Sequence, residues 1–214
     1  MSKVKVLGFS VSLDGFGAGT NQDLENPLGI RGHELHSWMV RTKKFQKIIG
    51  KDGGMEGIDN EFTENSFVNV GAHIIGRNMF GPIRGQWKDE EWKGWWGEDP
   101  PFHTPVFVLT HYPRNPIEMK GGTTFYFVSD GVKEALDAAK KLAGGKDIRV
   151  GGGVSTIRQF LQSGYIDEIH LAFSPIFLGQ GGNLFTGIDF QKLGFTKINK
   201  INGEGATHIT LTRV

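Results

Sequence analysis

The chain has no cysteine. That removes disulfide frameworks and thiolate metal sites, and it fits a reducing, cytoplasmic setting. Net charge is also scarce: 24 Lys and Arg stand against 23 Asp and Glu, a formal +1 over 214 residues. Without a basic excess there is no electrostatic case for nucleic acid or an anionic membrane surface as partner. No stretch approaches the ~20 apolar residues of a membrane span. The opening M-S-K-V-K-V-L-G-F-S passes straight into a strand pattern with no long apolar run or cleavage site, so the expectation is a soluble cytoplasmic protein. What remains is a chain with 38% hydrophobic residues, enough for one substantial core. It shows no internal repeat and no interdomain linker, and residues 1–214 read as a single domain.

Strand and helix patterns alternate along it. Val4 to Val11 reads as a buried strand ending in S-L-D-G-F, a turn that carries one acid. Asn21 to Gly32 is a polar, Gly/Pro-marked loop. Leu35, Trp38, Met39, Ile48 and Ile49 recur at roughly helical spacing, predicting one helix over 33–49 stopped by G-K-D-G-G. Phe67 to Ile75 leads into a short strand followed by G-R-N-M-F, and Arg84 to Pro105 is an aromatic loop. Val106–Leu109 and Thr124–Val128 read as strands, Val132–Leu142 as an amphipathic helix ended by Gly144, and Glu168–Phe173 as another strand. Phe195–Asn199 and His208–Val214 form a closing antiparallel pair around N-G-E-G. An α/β fold with a mixed sheet follows.

The most informative stretch is D-I-R-V-G-G-G-V-S-T-I-R-Q-F-L, from Asp147 to Leu161. A short strand enters Gly151, Gly152 and Gly153 and leaves as a helix with Ile157, Phe160 and Leu161 on its apolar side. Glycines there let backbone N–H groups approach a ligand, and the helix start adds unpaired donors and a positive dipole end. The pattern reads as a phosphate cradle; a bare strand-to-helix turn is the alternative. A Rossmann site fits badly. Thr156 stands where G-x-G-x-x-G needs its third glycine, Glu168 lies nearer than the usual ribose-binding acid, and only about sixty residues follow. No G-K-[ST] follows, which excludes a Walker loop.

The order of motifs carries more than any one of them. F-S-V-S-L-D-G, G-R-N-M-F, V-L-T-H-Y-P-R, V-G-G-G-V-S-T, D-E-I-H-L and P-I-F-L-G-Q-G-G-N-L-F occur in series over nearly the whole chain. In that order they resemble the dihydrofolate reductase-like superfamily, and more closely its branch containing the riboflavin-biosynthesis reductase domain. The resemblance implies a three-layer fold: a mostly parallel sheet, helices on both faces and a C-terminal antiparallel hairpin. It further implies a cytoplasmic homodimer that uses NADPH to reduce a pyrimidine- or pteridine-type heterocycle, with P-I-F-L-G-Q-G-G-N-L-F pairing across the two-fold axis.

The resemblance also assigns residues. Gly151, Gly152, Gly153, Val154, Ser155 and Thr156 match the pyrophosphate cradle. Gly76 and Arg77 match the position facing the adenosine 2′-phosphate, where a guanidinium favours NADPH over NADH. Thr110 and His111 match a stretch near the adenosine end, with Arg114 as a further phosphate contact; His111 as a plain turn residue is the alternative. Asp14 stands at a strand end before a freely turning Gly15, placed to anchor a donor edge of the substrate and help deliver the proton that accompanies hydride. Its alternative is an Asp-Gly turn acid bonding its own backbone. Glu168 matches an acid common in the riboflavin branch, or else is a strand-edge ion-pair partner.

Folate reducers carry a pterin-gripping carboxylate after the first loop. Glu34 in G-I-R-G-H-E-L-H-S-W does not align to it cleanly, so dihydrofolate is the lesser substrate expectation, beside another pteridine, a small carbonyl compound or a non-catalytic NADPH-binding module. His33 and His36 lack the H-E-x-x-H spacing of a zinc site, and no metal is expected. Trp87, Trp92, Trp95 and Trp96 cluster in one loop and read as a lid or a dimer contact, or as a filler of the loop's own small core.

Overall fold

The computed structural model describes residues 2–213. Its first strand, β1 (Val4–Ser12), is followed by the short β2 (Phe16–Ala18). A 3₁₀ turn at Gly32–His36 then leads into α1 (Ser37–Val40), α2 (Lys43–Ile48) and α3 (Ile58–Asn65). Strand β3 (Val70–Gly76) and α4 (Arg77–Phe80) follow. After a long segment without helix or strand come β4 (Pro105–Leu109), β5 (Ile117–Glu118), β6 (Thr124–Val128) and α5 (Val132–Leu142). The chain closes with β7 (Asp147–Gly152), α6 (Val154–Gln162), β8 (Glu168–Ser174), β9 (Gly182–Asn183), β10 (Phe195–Asn202) and β11 (Thr207–Arg213).

Among the described residues, nine strands form one sheet in the order β10-β11-β8-β1-β7-β3-β4-β6-β5. Pairing is parallel from β8 through β6 and antiparallel at both margins. Parallel strands covered on both faces need continuous apolar runs. Ile74, Ile75, Val106, Phe107 and Val108 accordingly are all buried. Helices α5 and α6 lie on one face, where Leu136, Ala139, Ile157, Phe160 and Leu161 pack against Val6, Ile74, Ile148 and Val150. The short helices α1–α3 and the aromatic segment before β4 cover the other face.

A bulge in β1 decides which side chains that second face receives. Val4 and Val6 point into the first core, yet so do Phe9 and Val11, two positions of opposite parity. The register against β8 shifts between Val6 and Phe9, where Gly8 has φ +66. The two backbone groups freed by the bulge find side-chain partners. Arg149 donates to the Leu7 carbonyl at 2.9 Å, and the Gly8 N–H donates to His170 Nδ1 at 3.1 Å. With Nδ1 accepting, neutral His170 carries its proton on Nε2, which meets His208 Nδ1 at 2.9 Å. His208 Nε2 in turn faces Asp59 Oδ1 at 2.8 Å, and Phe62 stacks on both imidazoles.

The structure departs from the sequence expectations at four places. The helix expected over 33–49 is a 3₁₀ turn and two short helices, because Thr42 is extended (φ −73, ψ 149) and its Oγ1 accepts the Phe45 N–H as a new cap. Helix α3 had no sequence signal: its N-terminal donors, the N–H groups of Ile58 and Asp59, are taken by the Glu204 carboxylate from the β10–β11 turn. Gly151 and Gly152 belong to β7 rather than to a three-glycine turn, which leaves Gly153 alone at the α6 cap. The closing pair extends further than expected, over 195–202 and 207–213, and Val214 lies outside the described residues.

The buried histidines set an acid limit on stability. Burial, then the neighbouring charges of His208 and Arg149, push His170 down to about 3, and burial lowers His208 despite Asp59. Unfolded histidine binds protons below its ordinary value, whereas the folded chain refuses them, so stability falls as pH drops below about 6.5. Urea denaturation between pH 7 and 4.5 should show a loss of up to about 1.4 kcal/mol per pH unit for each such histidine. His170→Gln should flatten that slope; an unchanged slope would contradict the assignment.

Candidate active site

The parallel register brings four strand ends to one edge: Ser12 of β1, Gly76 of β3, Leu109 of β4 and Gly152 of β7. Here β7 passes through Gly153 into α6, whose first turn has no side-chain cap. The Val154, Ser155 and Thr156 N–H groups therefore lack intrahelical acceptors. The three glycines serve different ends. A side chain at Gly151 would press on Ile75, at 3.3 Å. At Gly152 (φ +124) it would meet Met79 Sδ and Phe9 Cε2, both at 3.2 Å. At Gly153 it would meet nothing within 4 Å, so the space before the helix is open. The peptide bond between Gly152 and Gly153 is cis.

Gly76 lets the start of α4 come against the start of α6, since any β-carbon there would collide with Thr156 Oγ1. Thr156 is buried in that contact, while Ser155 is exposed and accepts only a long bond from Gln159, at 3.4 Å. Val154 lies under the β2–β9 ribbon, close to Gly17 and Gly182. Of the expected cradle, the structure thus assembles the Gly153 opening and the helix N–H groups, with Ser155 as the free hydroxyl.

Arg77 opens α4 with its guanidinium 3.8 Å from the Trp87 ring centre and 5.1 Å from that of Tyr112. Its Nε and Nη2 are buried and have no hydrogen-bond partner among the described residues. Burial lowers its pKa, Tyr112 opposes this by a smaller amount, and the nearby charge of Arg84 lowers it further. A cation held on aromatic faces with donors to spare is prepared for an anion. Thr110 is buried and supports this from below: its Oγ1 accepts the Tyr112 N–H at 3.2 Å, and Trp87 Nε1 donates to the Tyr112 carbonyl at 2.9 Å. His111 is exposed beside them. Arg114, expected as a phosphate contact, has Nε 3.1 Å from Glu90 Oε2, a side chain 1% exposed, its guanidinium 5.3 Å from the Trp87 ring centre and, among the described residues, a buried Nη1 without a partner. Tyr112 and Trp87, the two aromatic walls of Arg77, were not expected at the site; the V-L-T-H-Y-P-R motif held one of them in plain view.

Three of the four tryptophans lie on the sheet, while Trp95 stays 37% exposed and Trp87 also forms a wall of the Arg77 site. Trp87, Trp92 and Trp96 pack with Phe80, Phe102 and Phe125 as a second core on the sheet, and the indole N–H groups of Trp95 and Trp96 both donate to the Met79 carbonyl. Trp92 and Trp96 thus fit the reading of a loop that fills its own core.

Asp14 lies at the same edge, fully engaged. Its carboxylate accepts from Ser12 Oγ at 2.5 Å, the Leu178 N–H at 3.1 Å and the Gly179 N–H at 2.7 Å. Partial burial pushes its pKa up, but those three bonds outweigh it and hold the carboxyl below the ordinary value. An anion so satisfied is a poor proton donor; its visible role is to fasten the segment after β8 across the strand ends. That segment, expected to pair across a two-fold axis, contributes β9 to a ribbon within the chain and leaves Phe177 64% exposed.

Glu168 lies elsewhere, whereas Glu34 stands beside the same edge, its partner Arg31 donating to the Phe177 carbonyl at 3.1 Å. Glu168 pairs with Lys5 at the start of β8, while Ser12 pairs with Ser174 at its end, so Glu168 is roughly 20 Å from the cradle edge. Parallel polarity alone removes it from the site. Glu34 is ion-paired with Arg31 at 2.7 Å, and His36 Nδ1 faces Ser10 Oγ at 3.1 Å.

A model of the RibD C-terminal domain matches residues 5–206. The chain belongs to the RibD C-terminal domain family. It is thus a dihydrofolate reductase-like protein of the riboflavin-biosynthesis branch, as the motif order implies. YyaP, an uncharacterized protein of Bacillus subtilis (strain 168), is 28% identical over 159 residues, 71% of this chain and 80% of that protein. A putative riboflavin biosynthesis protein from Shewanella sp. PV-4 shares the fold over 100% of this chain and 99% of its own, with 22% identity and a TM-score of 0.55. The diaminohydroxyphosphoribosylaminopyrimidine deaminase/5-amino-6-(5-phosphoribosylamino)uracil reductase of Thermotoga maritima matches 100% of this chain at 14% identity and a TM-score of 0.53. This chain spans 57% of that longer protein. Among the described residues, no helix is long and apolar enough to cross a membrane.

The Asp14 tie is open to test. Asp14→Ala removes an acceptor shared by three donors and should cost about 1–2 kcal/mol. Chymotrypsin should then cut after Phe177 faster than in the parent protein. Equal cleavage rates would show that Asp14 does not hold the segment.

Proposed function

We propose that this chain is an NADPH-dependent reductase that passes hydride to a pyrimidine-type heterocycle, most like a 5-amino-6-(5-phosphoribosylamino)uracil reductase. The observation that carries the reading is the pairing of an open, uncapped helix start at Gly153 with an aromatic-held Arg77 whose donors are unpaired. The cofactor carries a pyrophosphate and a 2′-phosphate, and the residues present fit both. The Val154 and Ser155 N–H groups would hold the pyrophosphate, and Arg77 the 2′-phosphate. When bound, the nicotinamide supplies the hydride.

The chain's own work is positioning. Gly76 keeps the two helix starts in contact, Trp87 and Tyr112 hold Arg77 in place, and Asp14 keeps the segment around Leu178 over the substrate side of the edge. Glu34 does not align to the pterin-gripping acid of folate reducers and is paired with Arg31 at the surface, which supports a pyrimidine over dihydrofolate. A binding module without catalysis is the second reading, since Asp14, the acid expected to move a proton, is held as an anion.

Gly153→Val fills space that no protein atom occupies, so NADPH affinity should fall by more than about tenfold while the unfolding midpoint barely moves. Gly152→Val is the poorer probe, because Met79 and Phe9 would be displaced in any case. Arg77→Ala should lower NADPH affinity by about 1.5–3 kcal/mol and leave NADH nearly unchanged. Equal losses for both cofactors would refute the role of Arg77. Loss of the reduced nicotinamide absorbance on adding the ribosylaminopyrimidine would establish turnover. Tight NADPH binding with no oxidation across pyrimidines, pteridines and small carbonyl compounds would favour the module.

A further inference from the structure

A groove of 380 Å³ opens between α2, the start of β3 and the residues just before β4. It lies towards the opposite end of β3 from Gly76, and its lining includes neither the glycine cradle nor the residues around Arg77. Its size is that of a small-molecule site. Lys44 and Lys47, three apart on α2, line one side. Among the described residues neither makes an ion pair, in contrast to Lys43, which meets Glu56 at 2.5 Å.

The walls add further positive charge. Phe67 has the Lys44 ammonium 5.5 Å and the Arg149 guanidinium 5.1 Å from its ring centre. Burial pulls Arg149 down only to about 10, so it stays cationic at neutral pH, and it donates to two carbonyls rather than to a carboxylate. His73 also lines the groove. Its Nδ1 meets Thr104 Oγ1 at 2.8 Å, its Nε2 is buried with no partner among the described residues, and burial, then the charge of Arg149, keeps the ring neutral. The lining holds one carboxylate, Asp99, which lies 3.7 Å from His103. The balance favours an anion, and the apolar surfaces of Phe67 and Phe102 favour one that carries a ring.

We propose that this groove binds a small aromatic carboxylate, with the carboxylate between Lys44 and Lys47, the ring against Phe67 and Phe102, and a polar ring substituent at His73 Nε2. The assignment is independent of the reductase reading. It is tested on the full chain with 2-aminobenzoate, whose own fluorescence reports binding. Saturable binding is expected, weakened by added salt and by about tenfold or more in the Lys44→Gln, Lys47→Gln double variant. Phe67→Leu should also weaken it, while NADPH affinity of the double variant stays at the parent value. Aniline and inorganic phosphate, which supply the ring or the charge alone, should each compete poorly. Absence of saturation by about 10 mM, undiminished affinity in the double variant, or equal competition by phosphate would each overturn the proposal.

Discussion

One extra residue in β1 organises the polar half of this molecule. Side chains alternate along a strand, so without the bulge at Gly8 the later apolar residues, Phe9 and Val11, would face the short helices instead of the first core. The bulge keeps them inside but frees the Leu7 carbonyl and the Gly8 N–H in a half-buried place. Arg149 and His170 answer those two groups. Each answer creates a further demand: His170 needs His208, His208 needs Asp59, and Arg149 leaves a positive charge against Phe67. Buried polar groups must be satisfied, and here the obligation passes through three elements before it is discharged.

The same parallel sheet that shelters this chain of bonds builds the opposite edge. Because Ile75 stands beside Gly152, and Gly76 beside Leu109, the helix starts that follow β3 and β7 must lie together. The cations near both ends of β3 share a feature: Arg77 rests on Trp87 and Arg149 near Phe67, and among the described residues neither is neutralised by a carboxylate. Aromatic faces stabilise a guanidinium without consuming its charge, so the field remains available to a bound anion. A salt bridge in either place would have silenced it.

Elements whose causes are local were legible in the sequence. Helix α5 occupies the expected Val132–Leu142, because its apolar spacing and the turn that follows are written in consecutive residues. The strand-to-helix passage at Gly153 and the closing antiparallel pair were legible for the same reason. Features caused at a distance were not. Thr42 ends one helix and caps the next through its own hydroxyl, which a hydrophobic count does not register. Glu168 sits in a recognisable motif, yet only strand polarity reveals that it begins β8 where the site requires an end. The tryptophans announced an aromatic cluster without saying that Phe80 would draw them onto the sheet.

Helix α3 shows how far such distant causes reach. It is eight residues long, begins after a glycine, and borrows its cap from Glu204, 146 positions away in the chain from Ile58. A segment this short does not hold its shape alone in water. Its formation therefore waits on one of the longest loop closures in the fold, and order in α3 is contingent on the hairpin formed by the last strands. Asp59, the terminus of the histidine chain, rides on that same helix and also accepts the Gly205 N–H at 2.7 Å, so the buried histidines and the closing hairpin share one carboxylate.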